Sequence, residues 1–143
     1  MHSAKSATRL ARRAALLALL SAACTGEHER PMFELLGARR TGISFANTIE
    51  TTDSLNVQTD VYVYNGAGVA VGDVNGDGRP DIFFAANRVS SRLYLNEGDM
   101  RFDDATEQAG VATNRWATGA SMVDIDGDGD LDIYVSVSGP EWS

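Results

Sequence analysis

The sequence has one lysine, Lys5, one cysteine, Cys24, and two histidines, His2 and His28. Each shortage excludes something. A single cysteine cannot close an internal disulfide. Both histidines precede Pro31, so the part expected to fold has no imidazole to serve as a general base. No serine stands in a nucleophile-elbow pattern. Past residue 24 the only cationic side chains are eight arginines, set against twenty acidic residues. Nucleic acid and anionic lipid both require clustered Lys/Arg, so neither suits this surface, whereas divalent cations do. At 143 residues, 43% of them hydrophobic and 22% charged, the chain has the composition of one modest globular domain.

The N-terminus carries the positive charge that the rest lacks. Lys5, Arg9, Arg12 and Arg13 precede an uncharged, Ala/Leu-rich run over 14–23, which ends in the small residues Ser21, Ala22 and Ala23 before Cys24. This is the order of a secretory signal over 1–24, and it predicts export. Ten residues are too few to span a bilayer, which takes roughly 20. Arg12-Arg13 hints at the twin-arginine route, but the residues around it fit that motif poorly and favour ordinary secretion. A cysteine closing such a segment resembles a bacterial lipoprotein, although the leucine usual three positions before the cysteine is replaced by Ser21, with Leu20 one step back. The resemblance implies lipidation at Cys24, a polar tether over 25–31, and a place in the cell envelope or at the outer surface, with the lipid as the only membrane link. A soluble secreted product with an incidental cysteine is the alternative.

The rest of the chain is organised by a repeat. Asp73 aligns with Asp124 at an offset of 51 residues, and the same offset pairs Gly68 with Gly119, Asn75 with Asp126, Asp77 with Asp128, Gly78 with Gly129, Asp81 with Asp132 and Ile82 with Ile133. A period near 50 suits a blade of four short strands in a β-propeller. The first repeat, about 68–118, predicts strands at 69–72, 81–86, 92–95 and 101–103, with turn chemistry at 96–99. The second, from 119 to 143, predicts a strand from Gly119 and another at 133–137. Small residues at Gly68, Ala70, Gly72, Gly119 and Ser121 suit innermost strands, where blades converge. The expected fold is all-β, built from four-stranded antiparallel blades and forming part of a larger propeller. Upstream, 32–36 and 42–45 read as further strands, and 62–64 as the lead-in to the repeat. Trp116 suits packing between blades better than a carbohydrate platform.

Between the first two strands of each repeat lies a loop of the form D-x-[DN]-x-D-G-x-x-D. The candidate ligands are Asp73, Asn75, Asp77, Arg79 and Asp81 in the first loop, and Asp124, Asp126, Asp128, Asp130 and Asp132 in the second. Calcium takes 6–8 oxygens at about 2.3–2.6 Å. Positions 1, 3 and 5 converge when the chain curls, glycine at position 6 allows the sharp turn, position 7 offers its carbonyl, and position 9 closes the shell. Neither loop is an EF-hand, because position 12 is Phe84 or Val135 rather than glutamate. Asx-rich turns without a metal are the plainer reading, weakened by the presence of two copies in register.

The run beginning at Gly68, with Leu93-Tyr94-Leu95-Asn96 and Phe102, resembles the FG-GAP/VCBS repeat. The lead-in Tyr64-Asn65-Gly66 is similar to bacterial lipoproteins related to cartilage acidic protein. The resemblance implies an integrin-α-type seven-bladed propeller, Ca²⁺ between the first two strands of a blade, and often an ASPIC/UnbV-type C-terminal domain. The expected function is a calcium-held module for binding a protein or glycan, for adhesion or for scaffolding, with no catalysis in the residues present. The rival is the first part of a propeller lyase or hydrolase whose active site lies in other blades.

Overall fold

The computed structural model describes residues 31–138, so the expected export segment, Cys24 and the expected tether up to residue 30 lie outside the described residues. The chain divides into two compact units, Met1–Leu35 and Leu36–Ser143. The second unit holds a one-turn helix α1 (Ala38–Thr41) and strands β1 (Val69–Gly72), β2 (Asp81–Phe84), β3 (Arg92–Gly98), β4 (Arg101–Asp104), β5 (Ala117–Val123) and β6 (Asp132–Val137). Strands β1 to β4 form an antiparallel meander in sequence order, and β5 and β6 form a two-stranded sheet. The expected all-β class and the six expected strands of the two repeats are present. Among the described residues no helix is long and apolar enough to cross a membrane.

Alternation along the strands sets the two faces of the meander. Ala70 pairs with Phe83 and Phe83 with Leu93, so these three point the same way, because residues directly opposite in a sheet share a face. With Ala85 and Ala117 they make the core cluster, against which Ala120 and Met122 of β5 and Ile133 and Val135 of β6 pack. Burying Phe83, which is 1% exposed, contributes on the order of 1.5–3 kcal/mol. On the other face Phe45 stacks on Phe84 with ring centroids 4.9 Å apart, and Phe84 meets Tyr94 edge-on at 5.9 Å.

The two repeats approach through their first strands, and glycine makes this possible. A Cβ on Gly68 would stand 2.8 Å from Gly119 Cα and closer still to the Ala120 amide nitrogen, while one on Gly72 would meet the Leu131 side chain at 2.7 Å. The small residues read as innermost therefore sit where backbones converge.

Two expectations change, and the lead-in gains detail. First, the segments 32–36 and 42–45 are not strands. Met32, Phe33 and Leu35 are exposed. After them Gly37 opens α1, and Gly42 closes it at φ 80°, donating its N–H to the Ala38 carbonyl. That left-handed residue breaks an extended run. The lead-in at 62–64 is a run of turns that buries Val63, with Asn65 N–H donating to the Tyr62 carbonyl. Second, β3 continues through Asn96 to Gly98, and the hairpin turns at Asp99 and Met100, with φ of 50° and 58°. Two successive positive φ values are what a type I′ turn requires. A bulge between Asn96 and Gly98 accommodates residues that composition alone assigned to the turn.

Candidate metal centre

Each loop is held by its own carboxylates accepting backbone N–H groups, and the two patterns correspond almost atom for atom. In the first loop Asp73 accepts from Asp77 N (3.0 Å) and Gly78 N (2.7 Å), Asn75 from Asp77 N (3.1 Å), Asp77 from Arg79 N (2.9 Å) and Asp81 from Val74 N (3.0 Å). In the second, Asp124 accepts from Asp128 N (3.2 Å) and Gly129 N (3.0 Å), Asp126 from Asp128 N (3.2 Å), Asp128 from Asp130 N (2.9 Å) and Asp132 from Ile125 N (3.0 Å). Gly78 and Gly129 have φ of 83° and 99°, a left-handed turn that glycine adopts without steric cost. The side chains at positions 1, 3 and 5, aspartates except for Asn75, thus curl the chain around a common centre before any ion is considered.

The second loop gathers carboxylate oxygens most clearly. One oxygen from each of Asp124, Asp126 and Asp128 lies within 4.8 Å of the others. Two oxygens bound to one calcium ion at about 2.3–2.6 Å can stand no more than about 5 Å apart, so the spacing fits. The donors are all hard oxygens, which suits calcium or magnesium rather than a soft metal. Among the described residues no donor reaches Oδ2 of Asp126 or Asp128. Asp132 stands outside this trio, tied to the loop through Ile125 N–H. Asp130 is likewise outside it.

The first loop differs in two ways. Asp77 Oδ2 accepts from Asn75 Nδ2 at 3.0 Å and from Arg79 Nη2 at 2.6 Å. The backbone N–H of Arg79 does most to hold the Asp77 carboxyl below the usual carboxylate range; desolvation opposes it, and the Asn75 amide and the Arg79 charge add to the lowering. In addition, Asp81 is fully buried, and its second oxygen accepts Asn96 N–H at 2.8 Å. Asn96 also donates its side-chain amide to the Pro80 carbonyl and accepts Arg79 Nε–H at its own carbonyl. Arg79, expected to offer its carbonyl, also contacts Asp77 through its backbone N–H and holds Asp77 and Asn96 through its guanidinium. Asn96, read from the sequence as a turn residue, is the strand position that clasps the loop. Its only sequence signal was its place directly after the alternating run Leu93-Tyr94-Leu95.

A second polar centre went unseen in the sequence. Asn87, 1% exposed, accepts from Asn47 Nδ2 at 2.7 Å, donates its backbone N–H to Asn47 Oδ1 at 3.0 Å, and donates its amide to the Gly66 and Ala117 carbonyls at 3.0 and 2.8 Å. It joins the segment before the meander to both repeats.

Residues 73–135 match the FG-GAP-like repeat family, a span that includes both loops and strands β2 to β5. The match supports an FG-GAP repeat protein and agrees with the antiparallel sheets. Among curated proteins none matches the chain, and among solved structures none does.

Proposed function

We propose that this chain is a calcium-stabilised part of a β-propeller of the integrin-α type, carried on an exported, lipid-anchored protein and presenting a rigid surface for a protein or glycan ligand. The observation that carries the reading is the convergence of Asp124, Asp126 and Asp128 within 4.8 Å, in a loop frame repeated 51 residues earlier. The residues at positions 1, 3 and 5 hold the ion, and the position-9 aspartates anchor the loop to its following strand. A bound calcium ion supplies the positive charge that lets these carboxylates stay close together. Without it their mutual repulsion, about 1 kcal/mol per pair at 4 Å in water and more where water is excluded, opposes loop closure, so binding and folding are coupled.

Export and the lipid anchor rest on the order of residues 1–24, and adhesion or scaffolding on the lack of a catalytic constellation beside a calcium-rigid frame. The test is thermal unfolding with calcium, with magnesium and with chelator. At 100 times its dissociation constant a ligand adds about 2.7 kcal/mol, so saturating calcium should raise the transition by several degrees and chelator should reverse it. A transition unmoved by calcium counts against the reading.

A further inference from the structure

Arg79 and Asp130 occupy the same position of the two loops and donate the same backbone N–H to the aspartate two residues before them, yet their side chains carry opposite charge. In the first loop the Arg79 guanidinium lies 2.6 Å from Asp77 Oδ2, the oxygen that in Asp128 meets no donor among the described residues. Its Nε–H is meanwhile held by the Asn96 carbonyl, so the fork is anchored on β3 as well as on the loop. In the second loop the equivalent side chain is a further carboxylate. Five backbone hydrogen bonds recur in both loops; the second adds Gly127 N–H to Asp124 at 2.7 Å, and the first adds Asn96 N–H to Asp81 at 2.8 Å.

We infer that Arg79 is a built-in counter-cation of the first loop, closing it without a metal and competing with calcium for Asp77. This rests on the calcium reading. The consequence is a division of labour between two loops of one frame. The first is closed by the chain's own charge, and a cation must displace the guanidinium from Asp77 Oδ2 to use that oxygen. The second carries Asp130 where the first carries Arg79, so its position-7 residue supplies no cation and the loop depends on an added one. Arg79 is thus a positioning residue that lowers the calcium affinity of its own loop while ordering it in the absence of metal.

The test is calorimetric titration of the full chain with calcium chloride, in an Asp128→Ala background that disables the second loop. Adding Arg79→Gln should tighten the remaining site roughly tenfold, equivalent to about 1.4 kcal/mol, and should lower the melting temperature in chelator. Arg79→Lys, which keeps the charge but loses the two-pronged grip, should fall between. An Arg79→Gln site of equal or weaker affinity overturns the inference while leaving calcium binding intact. If the wild-type chain and the Asp128→Ala variant both bind no calcium, the calcium reading itself fails, and this inference with it. Should the glutamine variant not fold, NMR of the wild-type Arg79 guanidinium decides. Its Nη signals should shift as calcium saturates the protein, and signals unmoved at saturation overturn the competition.

Discussion

Gly68 and Ala120 meet so closely that the backbone of the second repeat fills the space a side chain on Gly68 would need. This contact joins the first strands of the two repeats. Replacing Gly68 by alanine must therefore move one backbone away from the other, at a cost of typically 1–3 kcal/mol for overpacking. Gly72→Ala meets the ends of Leu131 and Met122 instead, which can turn aside, so its cost should be clearly smaller. Chemical denaturation of both variants checks the order. Equal losses would mean that the strands are not pressed together at Gly68.

The repeat, its strands and its loops were legible because each rests on local chemistry. Alternation marked Val69–Gly72, and two aligned aspartate loops announced their shared frame. The segment 42–45 was misread because it has the composition of a strand but pairs with none of the described strands; Phe45 stacks its ring on Phe84 instead. Asn96 and Asn87 were hidden because their partners lie 15 and 40 residues away in sequence, and an asparagine reads alike in a turn and in a buried clasp. The contact of Arg79 with Asp77 was equally invisible, since only the fold shows which way the guanidinium turns.

Asn87 should tolerate no change of donor to acceptor. Asn87→Asp places a carboxylate against the Gly66 and Ala117 carbonyls, both of which now receive N–H donors. Leaving buried polar groups unpaired costs about 1–3 kcal/mol each, and more for a charge. The aspartate variant should thus be less stable than Asn87→Ala, with the larger deficit at neutral pH, where the carboxylate is ionised, than at acidic pH. Unfolding curves at two pH values test this, and a variant as stable as wild type would remove Asn87 from its linking role.

Asp104 predicts an acid limb of stability. Partial burial pushes its carboxyl up, but the Thr106 hydroxyl and amide and the Arg92 guanidinium outweigh this and hold it below the usual carboxylate range. A carboxyl with a depressed folded-state pKa contributes stability above its unfolded value, near 3.9, and loses that contribution as pH falls through the folded value. Wild type should therefore lose more stability between pH 5 and 3 than Asp104→Asn does. Thr106 is fully buried, and its hydroxyl also accepts Leu93 N–H at 3.0 Å. Thr106→Val should cost about 1–3 kcal/mol at every pH through that orphaned amide. Identical acid limbs in wild type and Asp104→Asn would contradict the assignment.

Export can be checked independently of the metal. The protein should incorporate radiolabelled palmitate, partition into detergent, and lose both properties on Cys24→Ser. An unlabelled wild type, released equally with and without Cys24, would leave secretion standing and remove the anchor.

The most direct measurement is a calcium titration of the chain beside its Asp77→Ala and Asp128→Ala variants. The second loop offers three carboxylates to the ion, Asp124, Asp126 and Asp128, with Asp130 and Asp132 adding charge nearby, whereas the first offers two, Asp73 and Asp77, beside the neutral Asn75 and carries Arg79. More carboxylates generally bind calcium more tightly. Two classes of site are expected, in the weak range of roughly 10⁻⁴–10⁻³ M typical of extracellular modules. Asp128→Ala should abolish the tighter class and Asp77→Ala the weaker. Loss of the tighter class on Asp77→Ala, or calcium binding unchanged by both substitutions, would contradict the account.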